Sequence, residues 1–254
     1  MTAGIRLRRV AVPAASLIAG ALLWEIIGRN TSPAFMVPFS VTVAKLAGLV
    51  RSGEFMAALA QSLALFTSGF LLAVVTAVPL GVLFARVRLL RIGLESYVTM
   101  LYATPMAALI PFILSLFGFD FGAKILVVFL FAFFPILYNT VEGARSVRPE
   151  LIEVARAFRS NEWGVWRDVL IPHTLPFALT GVRQGIGRGL VGMVTAEFFL
   201  SASGIGRLII VSERDFDTAG VLASVLLITL LGVLLMAIGR ALENRYAAWR
   251  GLDR

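Results

Sequence analysis

Six stretches of this chain, at about 10–28, 57–84, 95–117, 125–141, 176–200 and 219–240, are apolar over close to the roughly twenty residues a helix needs to cross a lipid core. That pattern predicts an all-α, polytopic membrane protein of about six transmembrane helices, forming a single transmembrane domain over 1–254. The composition agrees, with 59% hydrophobic residues and a mean hydropathy of +0.89, whereas soluble domains are nearer half apolar. None of the runs repeats another at a fixed period, and no low-complexity segment or second domain interrupts them.

Between the runs the sequence makes local predictions. The first run follows Arg6, Arg8 and Arg9 without a clear Ala-x-Ala cleavage context, and Glu25 and Arg29 are spaced as an i,i+4 ion pair, so it reads as a retained span. Residues 31–54 are too polar to span. Within them Pro38 and Ser40 begin an amphipathic helix carrying Val41, Val43, Leu46 and Val50 and stopping near Gly53. That helix either lies flat at the outer surface or simply packs. The third run contains Pro105 and Pro111, which predict a kink that lines a pathway or one that only improves packing. Gly118 to Lys124 reads as a tight turn into the fourth run.

Charge sets the orientation. With the amino terminus inside, the inner edges hold Arg6, Arg8, Arg9, Arg86, Arg88, Arg91, Arg145, Arg148, Arg156, Arg159, Arg167, Arg240, Arg245, Arg250 and Arg254. The outer edges hold only Arg29, Lys45, Arg51, Lys124, Arg207 and Arg214. Positive charge concentrates on the cytoplasmic side of membrane proteins, so both termini are expected in the cytoplasm. The net charge of +8 is thereby shared among separate inner edges with no aromatic cluster beside them, which argues against nucleic acid as a partner. There is no cysteine and one histidine, His173, so no metal site is expected. No G-x-x-x-x-G-K-[ST] segment is present to cradle a nucleotide, and no catalytic triad or carboxylate pair sits in the spans, so no enzymatic activity is expected of the chain itself.

One charged segment breaks the apolar pattern, at about 143–175 and chiefly Glu150 to Pro172. Pro149 suits a first helical turn, and Leu151, Val154, Ala155 and Phe158 recur at i, i+3, i+4 and i+7. Ser160 is placed to cap a second short helix carrying Trp163, Trp166 and Val169 or Leu170, which Pro172 would end. Two amphipathic helices joined by a tight bend on a membrane protein read as a docking surface; the alternative is that the aromatics seat the loop against its own helix ends.

Glu153, Ala155, Val169, Ile171 and Pro172 resemble the "EAA" cytoplasmic loop of permease subunits of bacterial binding-protein-dependent ABC importers. Two positions depart from the family pattern: Val154 stands where Ala is usual, and Arg159 where the bend carries Gly. A side chain with a Cβ resists φ > 0 by about 1 kcal/mol, so either the bend moves to Ser160 or Asn161 or the loop is altered. ATPMAALIPFILSLFGFDFGAKI, FFPILYNTVEGARSV and TLPFALTGVRQGIGRGLVGMVTAEFFLSASGIGRLI are similar, in order, to the nitrate/sulfonate/taurine-type branch. The resemblance implies a type I ABC importer-like transmembrane domain in the bacterial plasma (inner) membrane. It implies a second copy of the chain, two ATP-binding cassette subunits that bind and hydrolyse ATP, an extracytoplasmic solute-binding protein and surrounding lipid as partners. The ATPase-docking residues it implies are Glu153, Ala155, Arg156, Phe158, Arg159 and Trp163. The solute class it leaves open comprises sulfonates, nitrate-like anions and vitamin or pyrimidine precursors.

On the fifth run, helical projection gathers Gly181, Gly185, Arg188, Gly192 and Thr195 within about 80° of arc. Such a face permits close helix approach or leaves space for a solute. Arg188 lies about 18 Å beyond Pro176 at 1.5 Å per residue, near mid-membrane, where a charge costs on the order of 3 kcal/mol. Arg188, Gly185, Gly192, Thr195 and Pro105 are therefore the pathway candidates. Against them stands an Arg188 bonded to carbonyls freed near Pro105 or Pro111. An ATP-independent secondary transporter or channel would show inverted repeats or discontinuous helices, and none is evident; a lipid-modifying enzyme would have only Glu197 to work with.

Overall fold

The computed structural model describes residues 2–200 and 203–247. Arg250 and Arg254 lie outside the described residues, and so do the side chains of Arg6, Arg8, Arg9, Arg86, Arg88 and Arg91. The described chain is helical without strands: α1 (Thr2–Asn30), α2 (Phe39–Arg51), α3 (Glu54–Arg86), α4 (Arg88–Ala103), α5 (Ile110–Phe117), α6 (Phe121–Arg145), α7 (Pro149–Ala157), α8 (Glu162–Val165), α9 (Ile171–Phe199), α10 (Gly204–Arg214) and α11 (Thr218–Ala247). Among the described residues four helices are long and apolar enough to cross a membrane, or up to six if each of two bent pairs counts as one span. The residues fall into two compact units, Met1–Ala60 with Ser203–Thr229 and Gln61–Ala202 with Leu230–Arg254.

In the first unit, α1 and α2 fold back tightly. A Cβ on Gly28 would lie 2.6 Å from the Pro38 nitrogen, so only glycine admits the turn. Glu25 pairs with Arg29 at 2.8 Å as its spacing predicts, and its other work is to cap α2. Its carboxylate accepts the backbone N–H of Ser40 at 2.9 Å and the Ser40 hydroxyl at 3.0 Å. The α2 N-terminus is thus satisfied by a side chain fifteen residues away rather than by Ser40 itself. Asp217 receives the Lys45 ammonium at 2.7 Å and the Gly220 N–H at 3.0 Å. Burial raises its carboxyl pKa, but Lys45 and the α11 backbone N–H groups outweigh that and hold it below the usual range. Helix α10 ends at Arg214, and Phe216 just beyond it turns the chain with φ 55°.

The second unit holds α6 packed closely along α9. Gly181, Gly185, Gly189 and Gly192 of α9 are buried against Asn139, Ile136, Ala132 and Phe131 of α6. A Cβ at Gly181 would come within 3.1 Å of the Ile136 Cα, and one at Gly192 within 2.9 Å of the Phe131 Cβ. Close helix approach is therefore what the small-residue face does on this side. Leu65, Phe66, Val128, Ile186, Leu190 and Met193 fill one core cluster, and Ile110, Ile113, Ala123, Val127, Ala196 and Leu200 another.

Three features depart from the sequence expectations. The stretch at 95–117 is broken more sharply than a proline kink, as one broken span or a re-entrant loop. Helix α4 ends at Ala103, Thr104 is extended at φ −69° and ψ 132°, a 3₁₀ turn covers Met106–Leu109, and α5 follows at 92° to the first segment. A residue before proline is pushed out of the α region, and here that break is complete, giving the discontinuous helix that was not evident in sequence. The turn before the fourth span is shorter than expected, because α6 begins directly after Asp120 and Lys124 lies within its first turn, only 5% exposed. Pro172 does not end the second loop helix. From Glu162 the chain stays helical through a π turn at Trp166–Leu170 into α9, the wider turn accommodating the N–H that proline lacks.

The α6–α9 contact yields a prediction. Gly181→Val forces a side chain into the Ile136 backbone and the Asn139 side chain and should destabilise the bundle by about 1–3 kcal/mol. Thermal unfolding in detergent should show a lowered midpoint, while the same change at Gly93, which has open space around it, should leave the midpoint unchanged.

Candidate functional site

Two places hold the predicted site residues. The first is the segment α7–α8. Pro149 occupies the first turn of α7, where its missing N–H costs nothing, and Arg156 lies in the last turn, where the helix dipole favours a cation. Ile152 turns inward with Trp166 and Val169 onto Val82, Ala144, Val147 and Leu170. The opposite stripe faces out: Leu151 and Val154 are exposed, and Phe158 is 85% exposed. Trp163 is 68% exposed, so of the two tryptophans it is Trp166 that seats the segment and Trp163 that is left open. Glu153 is exposed beside the stripe, and Arg156 reaches Glu162 at 3.2 Å, tying α7 to α8.

The bend stays at the residue where glycine is usual. Arg159 has φ 56°, its N–H donates to the Arg156 carbonyl at 2.9 Å, and the Ser160 N–H donates to the Ala155 carbonyl at 3.0 Å. That is the Schellman arrangement, with Arg159 at the left-handed position and Ala155 supplying the carbonyl three residues inside the helix. Neither Ser160 nor Asn161 takes over the bend. The cap of α8 is Asn161 rather than Ser160, its side chain accepting the Gly164 N–H at 2.8 Å.

The second place is a cavity of about 340 Å³ in the second unit, where α6, α9 and the broken α4–α5 stretch meet. Arg188, Tyr102, Thr104, Pro105, Phe131 and Phe134 contribute to its wall. Arg188 and Pro105 are thus brought together. Gly185 and Gly192 are buried under α6, and Thr195 donates its hydroxyl to the Val191 carbonyl at 2.6 Å. The cavity exists because Thr104–Pro105 turns the chain away and leaves α6 and α9 uncovered there.

Sequence reasoning missed a charge cluster in the same unit. Glu197 is fully buried, accepts the Ser62 hydroxyl at 2.5 Å, and interacts electrostatically with the buried Lys124. The separation of 135 positions from Ser62 to Glu197 hides the pairing from any local pattern. Lys124, one of the cations expected at the outer edges, lies buried in the first turn of α6. The Ser146 hydroxyl and His173 Nε2 lie 3.0 Å apart, so the single histidine is engaged structurally.

Residues 77–248, more than half the chain, match the family described as the binding-protein-dependent transport system inner membrane component. The chain belongs to that family.

This permease is 32% identical over 230 residues to a putative aliphatic sulfonates transport permease of Bacillus subtilis (strain 168), covering 90% of this chain and 83% of that one. It is 26% identical over 229 residues to the formylaminopyrimidine transport permease of Halalkalibacterium halodurans, covering 90% and 92%. It is 34% identical over 165 residues to the riboflavin transport system permease of Chloroflexus aurantiacus, covering 65% and 62%. The resemblance to the sulfonate-type branch, the all-α multi-pass architecture and the transport role therefore stand for this permease.

Arg159 offers a direct check on the loop geometry. Arg159→Gly removes the Cβ strain at φ 56° and should stabilise the segment by about 1 kcal/mol. Slower proteolysis within 148–165 should report it, and faster proteolysis would show that the arginine side chain makes a contact of its own.

Proposed function

We propose that this permease is the membrane subunit of an ATP-driven importer, in which two copies form the solute pathway and each couples to a separate ATPase subunit through residues 150–172. The observation that carries this reading is the outward stripe of Leu151, Val154, Phe158 and Trp163 on an ordered, capped helix pair. Large apolar side chains held out on rigid helices suit the helix-in-groove mode of recognition. Glu153 and Arg156 flank the stripe and supply charge contacts that fix its register, while Ala155 keeps the face low. Because α8 runs without a break into α9, a displacement of the segment would pass directly into a spanning helix. ATP binds and is hydrolysed in the partner; the permease alternates between inward- and outward-open packings biased by that partner.

In this reading both termini and the 150–172 segment are cytoplasmic, and an extracytoplasmic binding protein delivers the solute on the opposite side. The solute is a small anionic or polar molecule, in keeping with the sulfonate, formylaminopyrimidine and riboflavin in the names of relatives. The discontinuous α4–α5 stretch is a feature that a secondary transporter would share. ATP-free uptake driven by an ion gradient would favour that alternative, and uptake that stops when the ATPase is omitted would exclude it.

Two experiments test the reading. Phe158→Ala combined with Trp163→Ala should weaken ATPase binding at least tenfold, in line with losses of about 2 kcal/mol at buried aromatic anchors, with the bundle's unfolding midpoint unchanged. Glu153→Ala should lower solute-stimulated ATP hydrolysis. Full affinity in the double variant, or ATP hydrolysis by the purified chain alone, overturns the docking role. The chain has no cysteine, so single thiols report sidedness directly. In intact cells Phe216→Cys should react with an impermeant maleimide and Ser160→Cys should not; the reverse pattern overturns the orientation.

A further inference from the structure

Arg188, whose side chain is exposed on the single chain, differs from Arg183 and Lys124. Arg183 has its Nε 2.8 Å from the Glu243 carboxylate, and Lys124 interacts with Glu197. Arg188 makes no hydrogen bond and no ion pair with any described residue, although it lies about 18 Å along α9 from Pro176. The carbonyls at the Thr104–Pro105 break, which could have served it, do not: the Pro105 carbonyl accepts the Ala108 N–H at 2.8 Å. Among the described residues no carboxylate lines the cavity that Arg188 enters. The Thr104 hydroxyl is spent on the Met100 carbonyl at 2.8 Å, leaving the guanidinium as the cavity's strong donor. Phe131, Phe134, Leu130 and Met106 supply apolar wall, and Tyr102 stacks on Tyr138 with ring centroids 5.0 Å apart at its edge.

A guanidinium kept unpaired at this depth costs several times the thermal energy unless water or an anion meets it. Its fork of N–H donors matches the paired oxygens of a sulfonate, carboxylate or phosphate. A volume of about 340 Å³ suits one small molecule. We propose that this cavity is an anion subsite in the permease itself, in which Arg188 holds the oxyanion of a passing solute while the aromatic and aliphatic wall covers its apolar body. The proposal rests on the transport reading and names the solute chemistry within it: an organic monoanion with a small apolar portion. It places part of the selectivity in the membrane subunit, in addition to whatever a delivering protein imposes.

Local charge can be read without knowing the solute. Thr104→Cys, and Ala103→Cys as a second position, put a thiol in the cavity wall of a chain otherwise free of cysteine. The full chain in phosphatidylcholine nanodiscs, open to reagent on both faces, is treated with anionic sulfonatoethyl methanethiosulfonate or cationic trimethylammonioethyl methanethiosulfonate. Each rate is divided by that of the same reagent with free 2-mercaptoethanol. With Arg188 present the anionic reagent should be favoured at least about tenfold, as a unit charge within several ångströms in a medium less polar than water dictates. Arg188→Gln should bring the ratio to about one, and Arg188→Lys should preserve most of the preference. Hexanesulfonate should slow labelling more than the neutral hexyl methyl sulfone. A ratio unaffected by Arg188→Gln, or thiols that do not react at either position, overturns the proposal. Loss of the preference in phosphatidylglycerol nanodiscs assigns the arginine to a lipid phosphate, and separation of chain copies in Arg188→Gln assigns it to a carboxylate across a dimer; either result also overturns it. None of these readouts needs an ATPase, so a permease that fails to couple to one would sink the proposed function and leave the charge preference standing.

Discussion

The close contact of α6 with α9 is the constraint on which the second unit depends. Helices approach this near only where one of them lacks side chains at the crossing, and in lipid that approach must be driven by packing because no hydrophobic force separates helix from tail. Gly181, Gly185, Gly189 and Gly192 provide the smooth surface, and Ile136, Ala132 and Phe131 fit against it. Arg188 shares this face with the glycines, where the gap left by the broken α4–α5 stretch gives its side chain room in the cavity.

The two candidate places have opposite physical character. The α7–α8 segment is convex and presents apolar surface that the chain does not cover, bounded by charge. The Arg188 cavity is concave and presents an unpaired charge that the chain does not neutralise, bounded by apolar walls. Each is a local cost that a partner of complementary chemistry would relieve, a protein groove in one instance and an oxyanion in the other. The continuous helix from Glu162 to Phe199, with its π turn at Trp166–Leu170, is the one covalent element that carries both. A π turn stores a wider, less regular hydrogen-bond register, and two prolines lie close after it, so this is where the helix is best able to bend.

The buried Ser62, Lys124 and Glu197 cluster works differently. Charges taken out of water cost more than their attraction returns unless hydrogen bonds satisfy what remains, and breaking such a pair by removing one partner is costly. The cluster joins α3, α6 and α9, so it fixes the relative register of three helices at one end of the unit, as the glycine contact does along its length.

Composition and spacing by themselves determined that the chain is all-α and membrane-spanning, since runs of apolar residues near twenty long admit little else. They also determined that the 150–172 segment is ordered and amphipathic, because Pro149 and the i, i+3, i+4, i+7 stripe are local signals, and the family motifs placed it among transport permeases. The tertiary structure decided which side of each pattern faces in. Trp163 and Trp166 are alike in sequence, and only the contact with Val82 and Ala144 separates the seat from the open surface. Pro105 signals a break, but its size of 92° depends on what packs on either side. Arg159 shows that a glycine position can be held by another residue once the Schellman hydrogen bonds outweigh about 1 kcal/mol of backbone strain. The pairing of Glu197 with Ser62 and Lys124 joins residues far apart in the chain, and such meetings are set by the fold because no local periodicity records them.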